Sequence, residues 1–521
     1  MRTIILLAIA FVCGIQTHAG EPYAVSNISP ALLKNANVVK RMEDQRFEIH
    51  SLTNTTFKYK YAFTILNENG EKWAQFSEYY DKLRKIVSIE GNLYEGSGKL
   101  LKKLKSKDIQ DLSAVSDISL IEDNRVKRHN FYHRVFPYTI EYEVEIKYNN
   151  TFHFPAWYTQ EDENLAVEQT KYTVIFPADY QLRYRAFNYK GEPVASTEKN
   201  TKSLTWELKN VPAIKKESNS PKWHELTTAV MLAPTEFQID DYKGNMTSWK
   251  EFGKFLYTLG KGRDVLPDNI KQQVKQLTAN AQTDVEKVKV LYDYLQKNTR
   301  YISIQLGLGG WQPFEASYVA SKGYGDCKAL SNYMYSLLKE AGINSHYTLI
   351  RAGNQENITM PDFPSNQFNH AILCVPVKND TLWLECTSQT APAGYMGDFT
   401  GNRKALLLTE EGGVLVDTKK YLASENLQTR FVKASIDETG LLHADVRTRY
   451  RNMQQDYLHQ VINVLSKDRV KEYLQELLDL PTYNVNNFKY TEKKDVYPEI
   501  EEELDLYVDG YATSTGKRLF V

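Results

Sequence analysis

The sequence predicts an α+β protein of several domains: an N-terminal antiparallel β-sandwich, a central α+β core and a C-terminal β-rich domain. Three observations lead to this fold class. The chain has 521 residues, which suggests about three domains at ~150 residues each. Apolar and polar residues alternate on both sides of the centre, as in strands, whereas central segments repeat apolar residues at helical spacing. We therefore expect domains at residues 20–215, 216–425 and 426–521.

The N-terminal strands are predicted by alternating, aromatic-rich stretches. Residues 57–65, 138–146 and 172–176 show this pattern, and turn signals such as Asn149-Asn150 separate such stretches. Period-two alternation between turns is typical of antiparallel strands, here in a sandwich. A polar stretch at 215–222 then predicts the boundary to the helical region.

The C-terminal domain shows the same alternation again. Residues 442–450 and 504–508 alternate, and a helical pattern from about 454 to 478 lies between them. The last residues, 517–521, look like a strand that the chain enters without finishing. This ending suggests a truncated chain.

Residues 1–19 predict a secretory signal peptide. Arg2 precedes an apolar stretch at 4–12, and small residues stand at the two recognition positions that end at Ala19. Cys13 follows the bulky Val12, where a lipoprotein signal needs a small residue, so simple cleavage is favoured. No later stretch approaches the ~20 apolar residues that a membrane-spanning helix needs. We expect an exported protein, in the periplasm or outside the cell, that does not insert into a membrane.

Composition excludes two classes of protein. Hydrophobic residues make up 42% of the chain and aromatic residues 12%, which is enough to build cores and argues against disorder. Lys and Arg number 64 against 65 Asp and Glu, so the broad basic surface of a nucleic-acid-binding protein is not expected. After signal cleavage three cysteines remain, an odd and sparse set that does not predict a disulfide framework.

A cysteine begins one of the predicted central helices. Asp326 is a good N-cap, and Gly342 stands where a helix ends in the left-handed conformation, so the helix covers about 327–341. Cys327 lies in its first turn, where free amide donors and the helix dipole stabilise a thiolate. Taken alone, the segment fits a buried core cysteine as well as a nucleophile. The residues expected on its apolar face are Leu330, Tyr333, Met334, Leu337, Leu338 and Ala341.

A histidine and a glutamate follow on a predicted hairpin. An apolar strand begins at His370, Asn379-Asp380 supplies a turn, and a second strand returns towards Glu385. Pairing across this turn puts Cys374 opposite Glu385, so His370 and Glu385 share one face. An unpaired carboxylate is costly in the apolar surroundings of Glu385, and His370 is its natural partner.

The same register bears on the other two thiols. It places Cys386 on the opposite face of the hairpin from Cys374, so a disulfide between them is not expected. Both are predicted to be buried thiols.

The order of these residues resembles the transglutaminase-like superfamily, a relative of the papain-type cysteine proteases. The shared features are a cysteine at a helix start, a histidine at a strand start and an acid on the next strand. The chain most resembles an exported bacterial subgroup, in which this papain-like core follows a β-rich domain of unknown function. The segments that carry the resemblance are 301–313, Gly325-Asp-Cys, Ala341-Gly-Ile, Asn369-His-Ala and Trp383-Leu-Glu-Cys-Thr.

The resemblance implies a catalytic triad. Cys327 would be the nucleophile, His370 the general base and then acid, and Glu385 the orienting acid, where the superfamily usually has aspartate.

It also implies an oxyanion donor. The Cys327 amide would act together with an upstream side chain. Gln312 is preferred, Trp311 is an alternative and Gln305 is a weaker candidate.

The implied function is that of a cysteine protease or amidase. A thioester acyl-enzyme would form on a peptide, protein or peptidoglycan-peptide substrate, and hydrolysis is favoured over transfer to an amine. The alternative is a catalytically silent scaffold at the cell envelope. No cofactor or metal is predicted: no loop has calcium-ligand spacing, and His370 and Cys374, four apart on a strand, diverge too far for zinc.

Overall fold

The structure is a computed structural model of the chain. It describes residues 21–521 except 115–118, 123, 306, 355–356, 359, 379 and 481, and at 119–122, 305, 307 and 309 it describes the backbone alone. The predicted signal peptide and Asn379 of the predicted turn lie outside the described residues.

The N-terminal region is built almost entirely from strands, as predicted. Its two short helices are α1 (Pro30–Leu33) and α2 (Trp223–Leu226). Its strands are β1 (Val38–Ser51), β2 (Asn54–Ile65), β3 (Phe76–Tyr80), β4 (Arg84–Glu95), β5 (Leu100–Lys103), β6 (Gln110–Ser113), β7 (Ser119–Glu122), β8 (Arg125–His129), β9 (Tyr138–Tyr148), β10 (Trp157–Tyr158), β11 (Leu165–Pro177), β12 (Leu182–Phe187), β13 (Val194–Glu198), β14 (Thr201–Val211) and β15 (Ala229–Pro234).

Eight of these strands form one sheet in the order β13-β14-β11-β1-β2-β9-β4-β5. The prediction of a purely antiparallel arrangement is wrong at one place, because β1 and β11 pair in parallel, with Val38 opposite Leu165. A parallel pair needs a long crossover connection, and the chain from β2 to β10 supplies it. The sheet is therefore mixed.

One face of this sheet is covered by smaller sheets. Phe76 of β3 stacks on Tyr142 of β9 with ring centroids 4.7 Å apart, and Tyr184 of β12 packs edge-on against Trp206 of β14 at 5.1 Å. β15 pairs with both β10 and β12, so it extends this layer past the predicted boundary at residue 215.

The central region combines helices with a five-stranded antiparallel sheet of order β23-β22-β21-β24-β25. Its helices are α3 (Trp249–Gly260), α4 (Asp268–Thr278), α5 (Asp284–Asn298), α6 (Ala316–Lys322), α7 (Cys327–Glu340) and α8 (Gly397–Thr400). Its strands are β16 (Glu236–Ile239), β17 (Tyr242–Asn245), β18 (Arg300–Tyr301), β19 (Ser303–Gln305), β20 (Tyr324–Gly325), β21 (His346–Ile350), β22 (His370–Val377), β23 (Asp380–Leu384), β24 (Lys404–Thr409) and β25 (Gly412–Asp417).

The C-terminal region is a four-stranded antiparallel sheet, β26-β27-β29-β28, with two helices on it. The predicted helical stretch is two helices, because the chain turns at Leu465 and Ser466 caps the second one. The elements are β26 (Gln428–Ile436), β27 (Leu442–Arg451), α9 (Asp456–Val464), α10 (Lys467–Leu477), β28 (Thr482–Lys493), β29 (Glu499–Asp509), β30 (Thr513–Thr515) and β31 (Arg518–Phe520).

Short 3-10 turns complete the secondary structure at Val25–Asn27, Glu68–Ala74, Ser106–Asp108, Gly307–Gly310 and Asn452–Gln455. Over the described part of the chain, every helix is too short or too polar to span a bilayer.

Candidate active site

Helix α7 begins at Cys327, as predicted. The side chain of Asp326 accepts a hydrogen bond from the Ala329 amide at 2.9 Å, which is the N-cap interaction. Gly325 allows a close approach just before the helix, because a Cβ there would lie 2.7 Å from the Cβ of Ala329. Cys327 therefore stands in the first turn, where the amide N–H groups have no acceptor within the helix. Its side chain is buried.

Asp326 also forms a buried ion pair that the sequence analysis did not identify. The Lys328 ammonium lies 2.5 Å from Oδ2 of Asp326, and both side chains are buried. Burial lowers the pKa of Lys328, but the charges of Cys327 and Asp326 outweigh it and raise this pKa above its usual value. A fixed positive charge therefore lies beside the thiol.

His370 links the cysteine to the glutamate. It begins β22, its Nε2 lies 3.0 and 2.9 Å from the two carboxylate oxygens of Glu385, and its side chain also interacts by a hydrogen bond with Cys327. Because Nε2 faces the carboxylate, Nδ1 is the ring nitrogen left for the sulfur. The structure brings these three predicted site residues together.

Glu385 is itself held in place. The hydroxyl of Thr387 donates to Oε1 of Glu385, and the Thr387 amide donates to the same oxygen at 3.2 Å. From α5, the hydroxyl of Tyr292 donates to the Glu385 carbonyl at 2.6 Å. These contacts fix both the backbone and the carboxylate at the end of β23.

The hairpin register differs from the predicted one by two residues. Val377 pairs with Asp380 and Cys374 pairs with Trp383, not with Glu385. The strands meet one residue earlier on each side of the turn, because Asp380 is already part of β23. A shift of two residues leaves every side chain on its predicted face, so His370 and Glu385 still lie together.

The two remaining thiols are structural neighbours of the site. Cys374 and Cys386 are both buried and free, and they belong to different apolar clusters. The expected absence of a disulfide between these two described residues is confirmed. Burial raises the pKa of Cys374 to about 11 and raises that of Cys386 further.

The pKa values of the site favour an ion pair between sulfur and imidazole. Burial raises the pKa of Cys327, but the charge of His370, its hydrogen bond and the charge of Lys328 lower it below its usual value. Burial lowers the pKa of His370, but the charges of Glu385 and Cys327 raise it to about 10. Burial raises the pKa of Glu385, and the charge of His370 outweighs this effect and lowers it. The arrangement therefore stabilises a thiolate, an imidazolium and a carboxylate in one row.

The three oxyanion candidates lie in different settings. Trp311 packs against the apolar cluster that contains Cys327. The side-chain amide of Gln312 donates to the carbonyl of Leu259 at the end of α3, at 3.2 Å. Gln305 ends β19, and its side chain lies outside the described residues.

Three aromatic residues surround the site without having been predicted. Phe399 packs edge-on against the His370 ring at 5.5 Å and is 43% exposed, so it separates the imidazole from solvent on one side. Burial raises the pKa values of Tyr301 and Tyr347, and the charge of Cys327 raises both further. The Tyr347 hydroxyl is buried and has no hydrogen-bond partner among the described residues. Aromatic residues are common in cores, so no sequence signal distinguished these.

A different group of side chains offers ligand atoms for a metal. His443, Asp445 and Asp505 present one atom each within 4.8 Å of one another on the C-terminal sheet. His443 Nε2 and Asp505 Oδ1 lie 2.9 Å apart, as in an ordinary ion pair. This group lies on the C-terminal sheet, whereas Cys327 begins α7 of the central region.

Two family models match the sequence. Residues 53–215 match a domain of unknown function that has a solved structure, DUF3857. Residues 271–390 match the transglutaminase-like superfamily, and this range contains Cys327, His370 and Glu385. Comparison with curated proteins gave no significant match.

One solved structure shares the overall fold. It is a candidate protease from Parabacteroides distasonis, with a TM-score of 0.57 and 13% identity over 91% of this chain and 93% of the other. A candidate cysteine protease from Cytophaga hutchinsonii has a TM-score of 0.20, 10% identity and coverage of 65% and 77%. An M1 zinc metallopeptidase from Deinococcus radiodurans has a TM-score of 0.19, 9% identity and coverage of 43% and 50%. The last two likenesses are too weak to carry an argument.

The family matches and the shared fold agree with the order of elements around Cys327. The chain therefore contains a transglutaminase-like domain at residues 271–390, which follows an N-terminal DUF3857 domain at residues 53–215.

Proposed function

We propose that this protein is an exported cysteine protease or amidase that cleaves peptide or amide bonds through a thioester. The observation that carries the proposal is the continuous contact from Cys327 to His370 to Glu385 at the start of a buried helix. A nucleophile beside a base that a third group orients is the arrangement required for nucleophilic catalysis.

In the acylation step the sulfur of Cys327 attacks the carbonyl carbon of the substrate. The carbon becomes tetrahedral, and its oxygen takes the negative charge. The imidazolium of His370 then donates its Nδ1 proton to the departing nitrogen, the C–N bond breaks and an amine leaves. The acyl group remains on sulfur as a thioester, and His370 is neutral.

In the deacylation step water attacks the thioester. Neutral His370 accepts a proton from the water molecule, whose oxygen bonds to the acyl carbon. The C–S bond breaks, a carboxylic acid leaves, and the thiolate of Cys327 regains its pairing with the imidazolium. Glu385 keeps its charge throughout and holds the ring in position through Nε2.

The oxyanion would be stabilised by the amide of Cys327 and a nearby side chain. The amide stands at the positive end of α7, where its N–H is not used within the helix. Trp311 is a candidate because it packs in the cluster that includes Cys327. Gln312 would first have to release its hydrogen bond to the Leu259 carbonyl. We therefore favour Trp311 over Gln312.

We favour hydrolysis of the thioester over acyl transfer to an amine, because an exported protein is surrounded by abundant water. Export itself is proposed from residues 1–19 of the sequence. The mass of the protein purified from the native cell tests export. Cleavage near Ala19 supports export, and an intact N-terminus opposes it.

The proposed activity is tested with a panel of peptides and peptidoglycan-peptide fragments. Wild type is compared with Cys327→Ala, and Cys374→Ala serves as the control because it removes a buried thiol outside the triad. We expect turnover by wild type and by the control, and a loss of at least about a thousandfold in Cys327→Ala. Equal turnover by wild type and Cys327→Ala would remove the claim that this thiol carries the reaction, and no turnover by any of them would favour the catalytically silent scaffold.

A further inference from the structure

The N-terminal domain contains a cavity of about 590 Å³ on the covered face of its large sheet. β1, β2 and β9 form its floor, and the loop at residues 150–161 forms one wall. Aromatic rings dominate the lining, among them Tyr59 and Tyr61, which are stacked at 6.1 Å with an angle of 11° between their planes. Trp73 and Phe154 also line it.

The polar groups of this lining are mostly acidic. Glu43, Glu78, Asp81 and Glu161 contribute four carboxyl groups, against the single guanidinium of Arg84. His153 adds no charge near neutrality, because burial lowers its pKa to about 4. With the buried ammonium of Lys40 beside Glu43 and Glu161 also counted, four carboxyl groups face two cations, so acidic groups remain in excess.

An ammonium group already pairs with two of the acidic residues of this lining. Lys40 is fully buried, and its Nζ lies 3.2 Å from Glu43, 2.7 Å from Glu161 and 5.8 Å from the centre of the Phe63 ring. Carboxylates and aromatic faces together are the environment that stabilises a desolvated cation. Burial raises the pKa of Glu161 to about 7; the charge of Lys40 opposes this shift, and the charge of Glu43 adds to it.

Two further groups on the wall lack a counterpart. Burial raises the pKa of Glu78, whose carboxylate accepts a hydrogen bond from the Tyr59 hydroxyl at 2.5 Å but pairs with no cation closely enough to reverse that shift. Oε1 of Gln45 is buried and accepts no hydrogen bond from the described residues. Glu78 and Gln45 therefore each offer an acceptor oxygen to a cationic N–H donor in the cavity.

The cavity is connected to the thiol site through three consecutive residues. Phe154 lines the cavity, while the Phe152 ring packs on Trp311 at 5.0 Å and shares an apolar cluster with Cys327. A second cleft of about 280 Å³ shares His153, Phe154 and Ala156 with the cavity, and is lined on its other side by Ile358 of the Cys327 cluster. Residues 152–154 therefore contribute both to the lining of the cavity and to the apolar cluster that contains Cys327.

We propose that this cavity binds the cationic amino group, with its apolar stem, of the peptide whose carbonyl reacts at Cys327. The inference rests on the proposed function, and assigns its substrates as peptides that carry an amine-bearing side chain. The acidic groups bind the ammonium, and the aromatic rings pack against the methylene groups.

Binding is measured by calorimetry on Cys327→Ala, so that no turnover interferes. The probes are a tetrapeptide amide with a blocked N-terminus and one lysine, and the same peptide with that lysine acetylated. We expect acetylation to weaken binding about tenfold, because it removes the charge that the carboxylates and rings recognise. Equal affinities, or no binding of the lysine peptide, would overturn the inference.

Two variants in the Cys327→Ala background locate the site. Glu78→Gln keeps an acceptor for Tyr59 but removes one charge, and should reduce the effect of acetylation to about threefold or less. Glu143→Gln lies on the same sheet but does not line the cavity, and should leave the effect unchanged. If Glu78→Gln behaves like the control, the cavity is not the binding site. Trp73→Leu provides the same comparison should Glu78→Gln fail to fold.

The same peptides separate this inference from the proposed function. Wild-type turnover of the lysine peptide tests the thiol chemistry, whereas the affinities on Cys327→Ala do not depend on it. Turnover without a lysine preference removes only the cavity assignment. If Glu78→Gln reduces the lysine preference but wild type does not turn over the lysine peptide, the cavity has no link to a reacting carbonyl, and the inference fails.

Discussion

Both carboxylate oxygens of Glu385 contact Nε2 of His370, at 3.0 and 2.9 Å. The superfamily that this chain resembles usually has aspartate at this place, and the extra methylene of glutamate does not prevent the contact. Thr387 holds one of the two oxygens through its hydroxyl and its amide. The carboxylate is therefore positioned to keep the imidazole charged and to fix the direction of its ring.

Replacing this carboxylate by an amide should slow the reaction of the thiol. In Glu385→Gln the His370 pKa should fall from about 10 towards its usual value near 6.5, because the charge that raises it most is gone. The imidazolium would then be lost near neutrality, and with it the charge that lowers the Cys327 pKa. We expect iodoacetamide labelling of Cys327 at pH 7 to slow by about tenfold.

The matched control for this variant is Glu385→Asp, which keeps the charge but shortens the side chain. Its labelling rate should lie between those of wild type and Glu385→Gln. Mass spectrometry of the modified peptide gives the rate at Cys327 alone. An unchanged rate in Glu385→Gln would show that the carboxylate does not set the charge of His370.

Removing the Asp326 side chain should destabilise the protein strongly. Asp326→Ala deletes the N-cap of α7 and leaves the buried ammonium of Lys328 without its 2.5 Å partner. Loss of one member of a buried ion pair costs about 3–5 kcal/mol. Ser248→Ala is the control. Ser248 is the N-cap of α3, and its hydroxyl oxygen accepts a hydrogen bond from the Glu251 amide, so its loss should cost only about 1 kcal/mol. Urea unfolding measures both, and equal losses would argue against a buried charge effect.

Helix α3 gives a prediction about backbone packing. A Cβ at Gly253 would lie 2.2 Å from the Cα of Gly413 on β25, so Gly253→Ala forces helix and strand apart and should cost about 2 kcal/mol or more. At Gly260, near the end of the same helix, the closest atom would be Pro313 Cγ at 3.9 Å, which leaves room. Gly260→Ala should therefore stabilise by about 0.5–1 kcal/mol. Thermal unfolding distinguishes the two, and a stable Gly253→Ala variant would contradict the packing of α3 on β25.

The parts of the fold that could be predicted have local signals. Thr283 and Glu286 form the capping box that begins α5, and both reciprocal hydrogen bonds are present. The start of α7 follows from Asp326 in the same way, and its end from Gly342, whose φ is +74°. In each case the determining residues lie within one helical turn of the boundary, so no knowledge of distant contacts is needed.

The features that could not be predicted depend on contacts between distant residues. The parallel pairing of Val38 with Leu165 joins strands more than a hundred residues apart, and alternation within each strand carries no information about the partner. Lys328 could not be recognised as buried because a lysine on a helix is usually solvated. The hairpin turn was misplaced by one residue, although the period of two kept His370 and Glu385 on one face.

The proposed chemistry depends on Cys327 being ionised at neutral pH. The thiolate is titrated by ultraviolet absorbance in wild type and in Cys327→Ala, and the difference isolates this one sulfur from Cys374 and Cys386. A lowered pKa means that the thiolate is present above that value and is lost as the pH falls through it. We expect a thiolate signal from Cys327 at neutral pH, below the usual pKa of a cysteine thiol. A difference spectrum that emerges only above pH ~8.5, as for an ordinary thiol, would contradict it.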